Sequence, residues 1–474
     1  MTYCGIFYVW ENDMNTSNRD YFKNIYRILW KAVLTIGLLL PFIYVWDKKL
    51  NVLLYTQYLN KGNILMWLVY GALEIVFLHT MGGYKIGLSK KSNIMISQTI
   101  AMFGNNVIEI LITILMVGRV IHIPTIVVSF VLLQVVQMVM LFLISNFGMD
   151  IYRYAFPPFL MIQICGDNVN DLPKKMNSRG DKYNVEGELD YREDIEVIRE
   201  TISRYDAVLI NDVPSQYRNR ILKACYEMNK RVYFTPKISD IIIKGSDELN
   251  LFDTPLYFCR NAKQPLLQRF VKRVMDIVIS FAGIIISSPI MLFAALAIYA
   301  YDRGPVFYRQ TRCTIGGKEF KIYKFRSMIV DAEKDGKARL ATENDDRITP
   351  VGKFIRATRI DELPQFFNIF VGDMSVVGPR PERPEIIEEY CKEVPEFAYR
   401  TKVKAGLTGY AQVYGKYNTT SYDKLKLDLI YVNKNSILLD IQLILLTLKV
   451  IFLKESTEGL DEGEETAGMK GKKR

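Results

Sequence analysis

Histidine and cysteine are both scarce in this chain of 474 residues. The two histidines, His79 and His122, lie in the apolar N-terminal half, which excludes a histidine general base from the C-terminal half. The six cysteines are scattered with no C-x-x-C spacing, so neither a zinc site nor a disulfide framework is indicated. Any nucleophile or general base in the C-terminal half must therefore be another residue type, and carboxylates are the available candidates.

The composition combines features of membrane proteins and of soluble proteins. Hydrophobic residues make up 50% of the chain and charged residues still make up 24%, which predicts one part in a membrane and another in water. The length favours two or three folded units. The formal net charge is +10, and the positive charges cluster beside apolar segments. A lipid bilayer with anionic headgroups is therefore the expected partner, and nucleic acid is not.

Residues 26–148 predict four transmembrane helices. Each apolar stretch is near the length that crosses a bilayer, and the stretches are 26–46, 64–81, 94–117 and 123–147. With the N-terminus inside, seven lysines and arginines would lie at the cytoplasmic ends of the stretches and four at the other ends; the seven are Arg19, Lys23, Arg27, Lys85, Lys90, Lys91 and Arg153, and the four are Lys48, Lys49, Lys61 and Arg119. Residues 1–25 are therefore expected in the cytoplasm.

Three polar residues, Glu74, Asn105 and Glu109, fall inside these stretches. A polar group there is unfavourable and usually faces a partner or a cavity. A role in joining the helices to each other or to a second subunit is favoured over a transport path.

Residues 155–260 predict a small parallel sheet. Strand-like runs at 159–165, 207–211 and 232–235 alternate with helical stretches, which is typical of an α/β domain. The first turn, at Gly166, lacks the later glycines that let a backbone approach a pyrophosphate. The sequence therefore favours a degenerate Rossmann-like domain used for dimerisation or regulation, and a homodimer is one of the expected partners.

The stretch 274–300 is apolar and long enough to span a bilayer, but both of its flanks are strongly basic. Four preceding crossings return the chain to the cytoplasm, and a fifth would carry the second basic cluster outside. Ser288 and Pro289 lie near the middle, where a proline removes a backbone donor and bends a helix. We expect a re-entrant helix-break-helix that enters one leaflet and returns; a kinked spanning helix is the alternative.

A group of charged motifs follows this stretch. They read Lys-Phe-Arg-Ser-Met at 324–328, Asn-Asp-Asp-Arg-Ile-Thr at 344–349, Asp-Glu-Leu-Pro-Gln at 361–365 and Met-Ser-Val-Val-Gly-Pro-Arg-Pro at 374–381. Cations that neutralise phosphate oxygens and a carboxylate that can attack phosphorus are the parts of a phosphoryl-transfer site. Adjacent acids alone are most often a solvated helix face, but on a helix Asp361 and Glu362 would diverge by about 100° and could serve different partners.

Residues 269–454 closely resemble the bacterial sugar transferases, also called polyisoprenyl-phosphate hexose-1-phosphate transferases or large monotopic phosphoglycosyl transferases. Besides the four motifs, the resemblance rests on Lys272-Arg273-x-x-Asp276, Gln310-x-Arg312, Lys318-x-Phe320 and Gly406-Leu-Thr-Gly409. Several ordered motifs that match together are more specific than any one of them. The N-terminal half is similar in layout to the long form of that family.

The resemblance implies roles for individual residues. Asp361 would be the nucleophile that takes the phosphosugar from a UDP-sugar, and Glu362 would be a ligand of Mg²⁺. Substrate phosphates are expected to be bound by the cations Lys324, Arg326, Arg356, Arg359 and Arg380. Ion pairs that fasten the re-entrant helix, or contacts to lipid headgroups, are expected of Lys272, Arg273 and Asp276. Ser288 and Pro289 would form the membrane hairpin.

The implied fold is a membrane bundle of four α-helices, an α/β Rossmann-like domain and an α/β catalytic domain with a re-entrant membrane helix at 274–300, followed by a disordered tail at 455–474. The implied function is transfer of a sugar 1-phosphate from a UDP-sugar to undecaprenyl phosphate, with release of UMP. This places the enzyme in the inner membrane of a bacterium, multi-pass, with the catalytic domain in the cytoplasm.

A catalytically silent scaffold or regulator of polysaccharide assembly is the alternative, and the intact acid pair argues against it. The chain departs from the family pattern at Thr314, where a glycine is common, and at Ala405, where a proline is common. Both positions concern loop shape, and no motif identifies the sugar.

Overall fold

The computed structural model describes residues 16–167, 170–259, 264–330, 347–415 and 419–451. The chain divides into two compact units, Met1–Pro236 and Lys237–Arg474. Three stretches named above lie outside the described residues: positions 1–15, positions 344–346 of the motif at 344–349, and the tail at 455–474.

Four long helices open the first unit: α1 Thr16–Val45, α2 Lys61–Met81, α3 Lys91–Val117 and α4 Ile123–Ala155. They overlap the four predicted apolar stretches and are long and apolar enough to cross a membrane. Their outward faces carry many exposed leucine, isoleucine, valine and phenylalanine side chains. Such faces are expected of helices that are surrounded by lipid.

Neutral amides join these helices at the centre of the bundle. Gln137 of α4 donates to the Tyr70 hydroxyl of α2 (2.8 Å) and to the Leu38 carbonyl of α1 (3.0 Å). Asn106 of α3 donates to Gln137 Oε1 (2.9 Å). Glu74 and Glu109 are fully buried nearby, yet neither accepts a hydrogen bond from a described residue. Among the described residues, Gln137 and Asn106 therefore join the helices, whereas Glu74 and Glu109, two of the three residues for which that role was predicted, make no hydrogen bond that does so.

The rest of the first unit is an α/β domain whose strands are β1 Phe159–Cys165, β2 Tyr183–Asp190, β3 Ala207–Asn211 and β4 Arg231–Phe234. The helices between them are α5 Leu172–Asn177, α6 Ile195–Ser203 and α7 Ser215–Glu227. The strands are parallel in the order β2-β1-β3-β4, which confirms the predicted parallel sheet. The sequence reading missed β2, because this edge strand reads Val-Glu-Gly-Glu at its centre and lacks the apolar run of a buried strand.

Gly166, at the end of β1, is explained by close packing within this sheet. A Cβ atom there would lie 2.0 Å from the Asp212 carbonyl oxygen, and the Gly166 N–H donates to the Asn211 carbonyl at 2.8 Å. The glycine therefore lets the ends of two strands approach each other.

The second unit begins with α8 Ile238–Lys244 and the antiparallel hairpin of β5 Asp247–Leu251 and β6 Thr254–Phe258. A long helix, α9 Leu266–Asp302, leads to a second hairpin of β7 Phe307–Cys313 and β8 Glu319–Phe325. The remaining elements are α10 Pro350–Ala357, α11 Gln365–Val371, β9 Ser375–Val377, α12 Pro384–Glu393, β10 Gly406–Thr408, α13 Tyr410–Tyr414, α14 Ser421–Lys434 and α15 Ile437–Ile451. β9 and β10 pair in parallel, and a buried core that includes Ile322, Ile369 and Val377 lies beside them.

α9 is one helix of 37 residues with a buried stripe and an apolar exposed face. The stripe is made of Asp276, Ser280, Ser287, Ala294 and Ile298. The predicted break at Ser288 and Pro289 does not interrupt the helix. The Ser288 hydroxyl donates to the Ile285 carbonyl at 2.8 Å, which is the acceptor that Pro289 leaves without a backbone donor.

Candidate active site

Asp361 and Glu362 lie together on a short 3-10 turn, Ile360–Glu362, between α10 and α11. Thr349 caps the start of α10 by accepting the Gly352 N–H at 2.9 Å. Arg359 precedes the turn in the left-handed region at φ 58°, which residues with a side chain rarely adopt. The acid pair therefore follows a strained backbone position, a feature that is common at functional sites.

Glu362 is held between two cations. Its Oε1 accepts from Lys324 Nζ at 2.9 Å and from Arg380 Nη2 at 2.7 Å, and its side chain is only 13% exposed. Burial acts to raise the pKa of the Glu362 carboxyl, but the charges of Arg380 and Lys324 outweigh it and hold that pKa well below its ordinary value. Glu362 is therefore ionised and engaged at any physiological pH.

Asp361 is in the opposite situation. Burial raises the pKa of the Asp361 carboxyl, against the charge of Lys324, and no described residue donates a hydrogen bond to it. A carboxylate clamped by two cations is a weak nucleophile, whereas an unpaired one keeps its lone pairs available. Neighbouring acids whose environments push their pKa values apart are typical of pairs with divided chemical roles.

The other predicted phosphate-binding arginines occupy two different places. Arg356 on α10 and Arg359 lie close enough to Asp361 for their charges to act on its carboxyl. Arg326 instead makes a two-pronged ion pair with Asp302 at the end of α9. The structure thus brings four of the five predicted cations around the acid pair, while the guanidinium of Arg326 is engaged by a carboxylate of the chain.

The turn that carries Arg380 packs against the Gly-Leu-Thr-Gly motif at 406–409. The Gly378 N–H donates to the Thr408 carbonyl (2.8 Å), and the Gly406 N–H donates to the Pro379 carbonyl (2.9 Å). A Cβ atom on Gly378 would lie 2.2 Å from the Lys404 carbonyl oxygen, which is closer than such atoms approach. Glycine at this position therefore lets two backbones meet and fixes the place of Arg380.

A Gly378→Ala substitution is expected to force these backbones apart. Overpacking of this kind typically destabilises a protein by about 1–3 kcal/mol, and a displaced Arg380 should lower turnover by about 10²-fold. Thermal unfolding and a rate assay check the two effects. Gly180→Ala is the control, because the nearest atom to its Cβ would be 3.8 Å away; equal behaviour of the two variants would contradict the prediction.

Buried charged residues outside the acid pair hold the backbone of the Arg380 turn in place. Arg400 donates to the Arg380 carbonyl at 3.0 Å and lies 2.8 Å from the carboxylate of Asp428. Arg312 donates to the Pro381 carbonyl at 3.2 Å, and both arginines approach Glu382. The sequence reading missed Arg400 and Asp428, which stand outside the motifs and carry no local signal of this role.

The basic and acidic residues at the start of α9 fasten that helix to the α/β core. Lys272 pairs with Asp440 at 2.7 Å, and Arg273 donates to the Ile369 and Phe370 carbonyls, each at 2.7 Å. Asp276, which is buried, accepts from the Ser375 hydroxyl and from the Val376 N–H. All three side chains thus hold one end of α9 against β9, α11 and α15.

The described residues contain no cluster of three or more histidine, cysteine or acidic side chains that could hold a metal ion alone. Asp361 and Glu362 nevertheless offer carboxylate oxygens of the kind that Mg²⁺ prefers, and this ion usually takes its other ligands from water and substrate phosphates. Because Glu362 Oε1 already accepts from two cations, the oxygens suited to an ion are those that Lys324 and Arg380 leave free.

Comparisons with known proteins agree with this geometry. Residues 267–454 match the family model described as Bacterial sugar transferase. The chain is 39% identical over 181 residues to a UDP-glucose:undecaprenyl-phosphate glucose-1-phosphate transferase of Caulobacter vibrioides, which covers 37% of this chain and 67% of the relative.

Two longer relatives match a larger part of the chain. A UDP-N-acetylgalactosamine-undecaprenyl-phosphate N-acetylgalactosaminephosphotransferase of Aeromonas hydrophila is 36% identical over 263 residues, 52% of this chain and 59% of the relative. A UDP-glucose:undecaprenyl-phosphate glucose-1-phosphate transferase of Klebsiella pneumoniae is 39% identical over 256 residues, 53% of each chain. The chain thus spans a little over half the length of these two relatives.

Proposed function

The chain belongs to the bacterial sugar transferase family, and we propose that it transfers a sugar 1-phosphate from a UDP-sugar to undecaprenyl phosphate, releasing UMP. This reaction would start a lipid-linked repeat unit of a capsule, exopolysaccharide or O-antigen. The observation that carries the proposal is the division of the acid pair: Glu362 is clamped by two cations, whereas no described residue donates a hydrogen bond to Asp361.

The proposed chemistry takes place in two displacements at one phosphorus atom. An Asp361 carboxylate oxygen attacks the phosphorus that bears the sugar, and the bond to the bridging oxygen of the diphosphate breaks, so UMP leaves with that oxygen. An oxygen of undecaprenyl phosphate then attacks the same phosphorus, and Asp361 departs as a free carboxylate. The order lets a water-soluble donor and a lipid acceptor use the same nucleophile in turn.

The cations around the pair have separate tasks in this scheme. Arg380 keeps 43% of its side chain exposed while it binds Glu362, so further N–H groups remain for a substrate phosphate. Arg356 and Arg359 would stabilise charge near Asp361, and Lys324 holds Glu362 in place. Mg²⁺, held through Glu362 with Asp361 beside it, would neutralise charge on the diphosphate.

We further propose that α9 enters one leaflet of the membrane without crossing it. The same α/β unit holds the helix on both sides of Pro289: Asp276 is bonded to Ser375 before it, and Ile298 packs with Phe325 after it. A crossing helix would leave its far end on the other side of the bilayer from that unit. The opposite face offers lipid an exposed apolar surface, which includes Val278, Phe281, Ile285, Ile286, Leu292, Phe293 and Leu296.

The N-terminal half completes the proposed arrangement. Four transmembrane helices would anchor the protein in the bacterial inner membrane with the catalytic domain in the cytoplasm. The α/β domain would be a Rossmann-like module that serves dimerisation or regulation. A cysteine placed at Arg303 tests the topology in intact cells, since labelling from outside would show that α9 crosses the bilayer.

The function is tested with membranes that contain the protein, undecaprenyl phosphate, Mg²⁺ and a panel of UDP-sugars. Release of UMP with one donor identifies the sugar, which neither the motifs nor the geometry specify. No release with any donor would favour a catalytically silent scaffold or regulator of polysaccharide assembly.

The rate of UMP release is expected to fall in acid as Asp361 becomes protonated. Because burial raises the pKa of Asp361, this fall should begin above the ordinary range of an aspartate. Arg356→Gln removes a charge that lowers this pKa, so the acid limb should move to higher pH, whereas Arg356→Lys should leave it near its original position. A limb that stays in place or moves to lower pH in Arg356→Gln would contradict the assignment.

A further inference from the structure

The first unit contains a cavity of about 280 Å³ where the helical bundle adjoins the sheet. Its walls come from the start of α1, the connection between α2 and α3, the end of α4, the segment just before β2, and the strands β1 and β4. Small-molecule sites usually measure roughly 300–1,000 Å³, so this cavity suits a lipid headgroup or a small phosphoester.

Positive charge dominates the lining, whose cations are Lys23, Arg27, Lys182 and Arg231. The two lining carboxylates are already engaged, since Asp20 pairs with Arg231 and Asp181 lies 2.9 Å from Arg179. Within the described part of the chain, no carboxylate lies at ion-pair distance from Lys23, Arg27 or Lys182. The cavity therefore faces three cations that no described carboxylate pairs directly.

Lys23 points most directly to an anionic ligand. This residue is only 7% exposed, and its ammonium contacts the ring of Phe159 at 3.9 Å without a hydrogen bond or ion pair to any described residue. A buried ammonium is unfavourable without an anion, and a ring face compensates only in part. Arg27 shows the same deficit, because its Nε is buried without a partner in the described part of the chain and its two side-chain hydrogen bonds are both 3.4 Å long.

We propose that this cavity binds a phosphate group, carried either by an anionic phospholipid or by a soluble phosphoester. Ammonium and guanidinium groups are the usual protein ligands of phosphate. The cavity lies at the ends of helices that are long enough to cross a membrane, so a headgroup and a cytosolic solute can both reach it. Ligands of open parallel sheets usually bind at the carboxyl ends of the strands. This cavity adjoins the amino ends of β1 and β4, so it differs from that usual site.

The test measures the melting temperature of the full-length protein in two settings. In nanodiscs, phosphatidylglycerol replaces phosphatidylcholine in steps; in lipid-free detergent, inorganic phosphate replaces chloride at equal ionic strength. Stabilisation by phosphatidylglycerol alone assigns the site to a lipid headgroup, and stabilisation by phosphate in detergent assigns it to a soluble ligand. No stabilisation in either setting would overturn the proposal.

Matched variants place the response at this cavity. Lys23→Met should weaken the affinity for phosphate or phosphatidylglycerol about tenfold or more. It should also raise the melting temperature without ligand, because it removes a buried cation that has no direct counter-charge among the described residues. Lys182→Met gives a second, independent loss, while Lys31→Met changes an exposed lysine of the same helix and should respond like the wild type. If Lys23→Met and Lys182→Met both keep the full response, the phosphate binds elsewhere and the proposal is wrong.

Discussion

An Asp361→Asn variant is expected to release almost no UMP from a UDP-sugar, a loss of about 10³-fold or more. The asparagine amide keeps the shape of the side chain but has no negative charge and cannot form an acyl phosphate. The first displacement should therefore fail, whatever lipid acceptor is present. Arg380 and Lys324 would keep their partner in this variant, since both bind Glu362.

Two measurements distinguish the loss of the nucleophile from a non-specific loss of folding or activity. Without undecaprenyl phosphate, the wild type should release about one UMP per protein and gain the mass of a sugar phosphate, which intact-protein mass spectrometry detects. Glu389→Gln, the same chemical change at an exposed acid of α12, should leave both results unchanged. Full turnover by Asp361→Asn, together with no adduct on the wild type, would exclude Asp361 as the nucleophile.

The acid pair could be found from the sequence because its signal is local. Asp361 and Glu362 are adjacent, and fixed arginine, glycine and proline positions surround them. The division of their roles could not be derived in this way. It depends on Lys324 from β8 and Arg380 from the loop after β9, which meet at one oxygen of Glu362 only in the folded chain.

The cations show where a reading of the sequence reaches its limit. From its motif alone, Arg326 could bind a substrate phosphate or pair with a carboxylate of the chain. Only the folded structure shows that it pairs with Asp302. Arg400 and Asp428 lie far apart in sequence, each among other charged residues, so nothing local distinguishes them from a solvated surface. Long-range pairing and burial, which no short window contains, decide all three cases.

An Arg400→Leu substitution is expected to destabilise the second unit by about 3–5 kcal/mol, the usual effect of leaving a buried charge without its partner. Arg400 and Asp428 are 6% and 1% exposed, so neither can turn to water. The variant also loses the donor to the Arg380 carbonyl, and UMP release should fall in step. Thermal unfolding measures the first effect, and Lys392→Leu, at an exposed site on α12, is the control.

The pH dependence of this loss identifies its cause. Burial raises the pKa of Asp428 to about 6, against the charge of Arg400, which lowers it. Because Arg400 lowers this pKa, its removal should raise the pKa of Asp428 further, so the penalty of Arg400→Leu should be full only above the variant's higher pKa, and the part due to the stranded carboxylate should have disappeared near pH 6, where Asp428 is protonated in both proteins. A penalty that is constant across this range would show that lost packing, and not the stranded carboxylate, is responsible.

Removing both charges separates stability from catalysis. An Arg400→Leu/Asp428→Leu double variant should regain most of the lost stability, because a buried ion pair can be replaced by apolar groups at little cost. It should still release UMP slowly, since the Arg380 carbonyl remains without its donor and the turn that presents the guanidinium to Glu362 is less constrained. Recovery of activity together with stability would show instead that Arg400 only balances the charge of Asp428, and that the glycine contacts at Gly378 and Gly406 suffice to place Arg380.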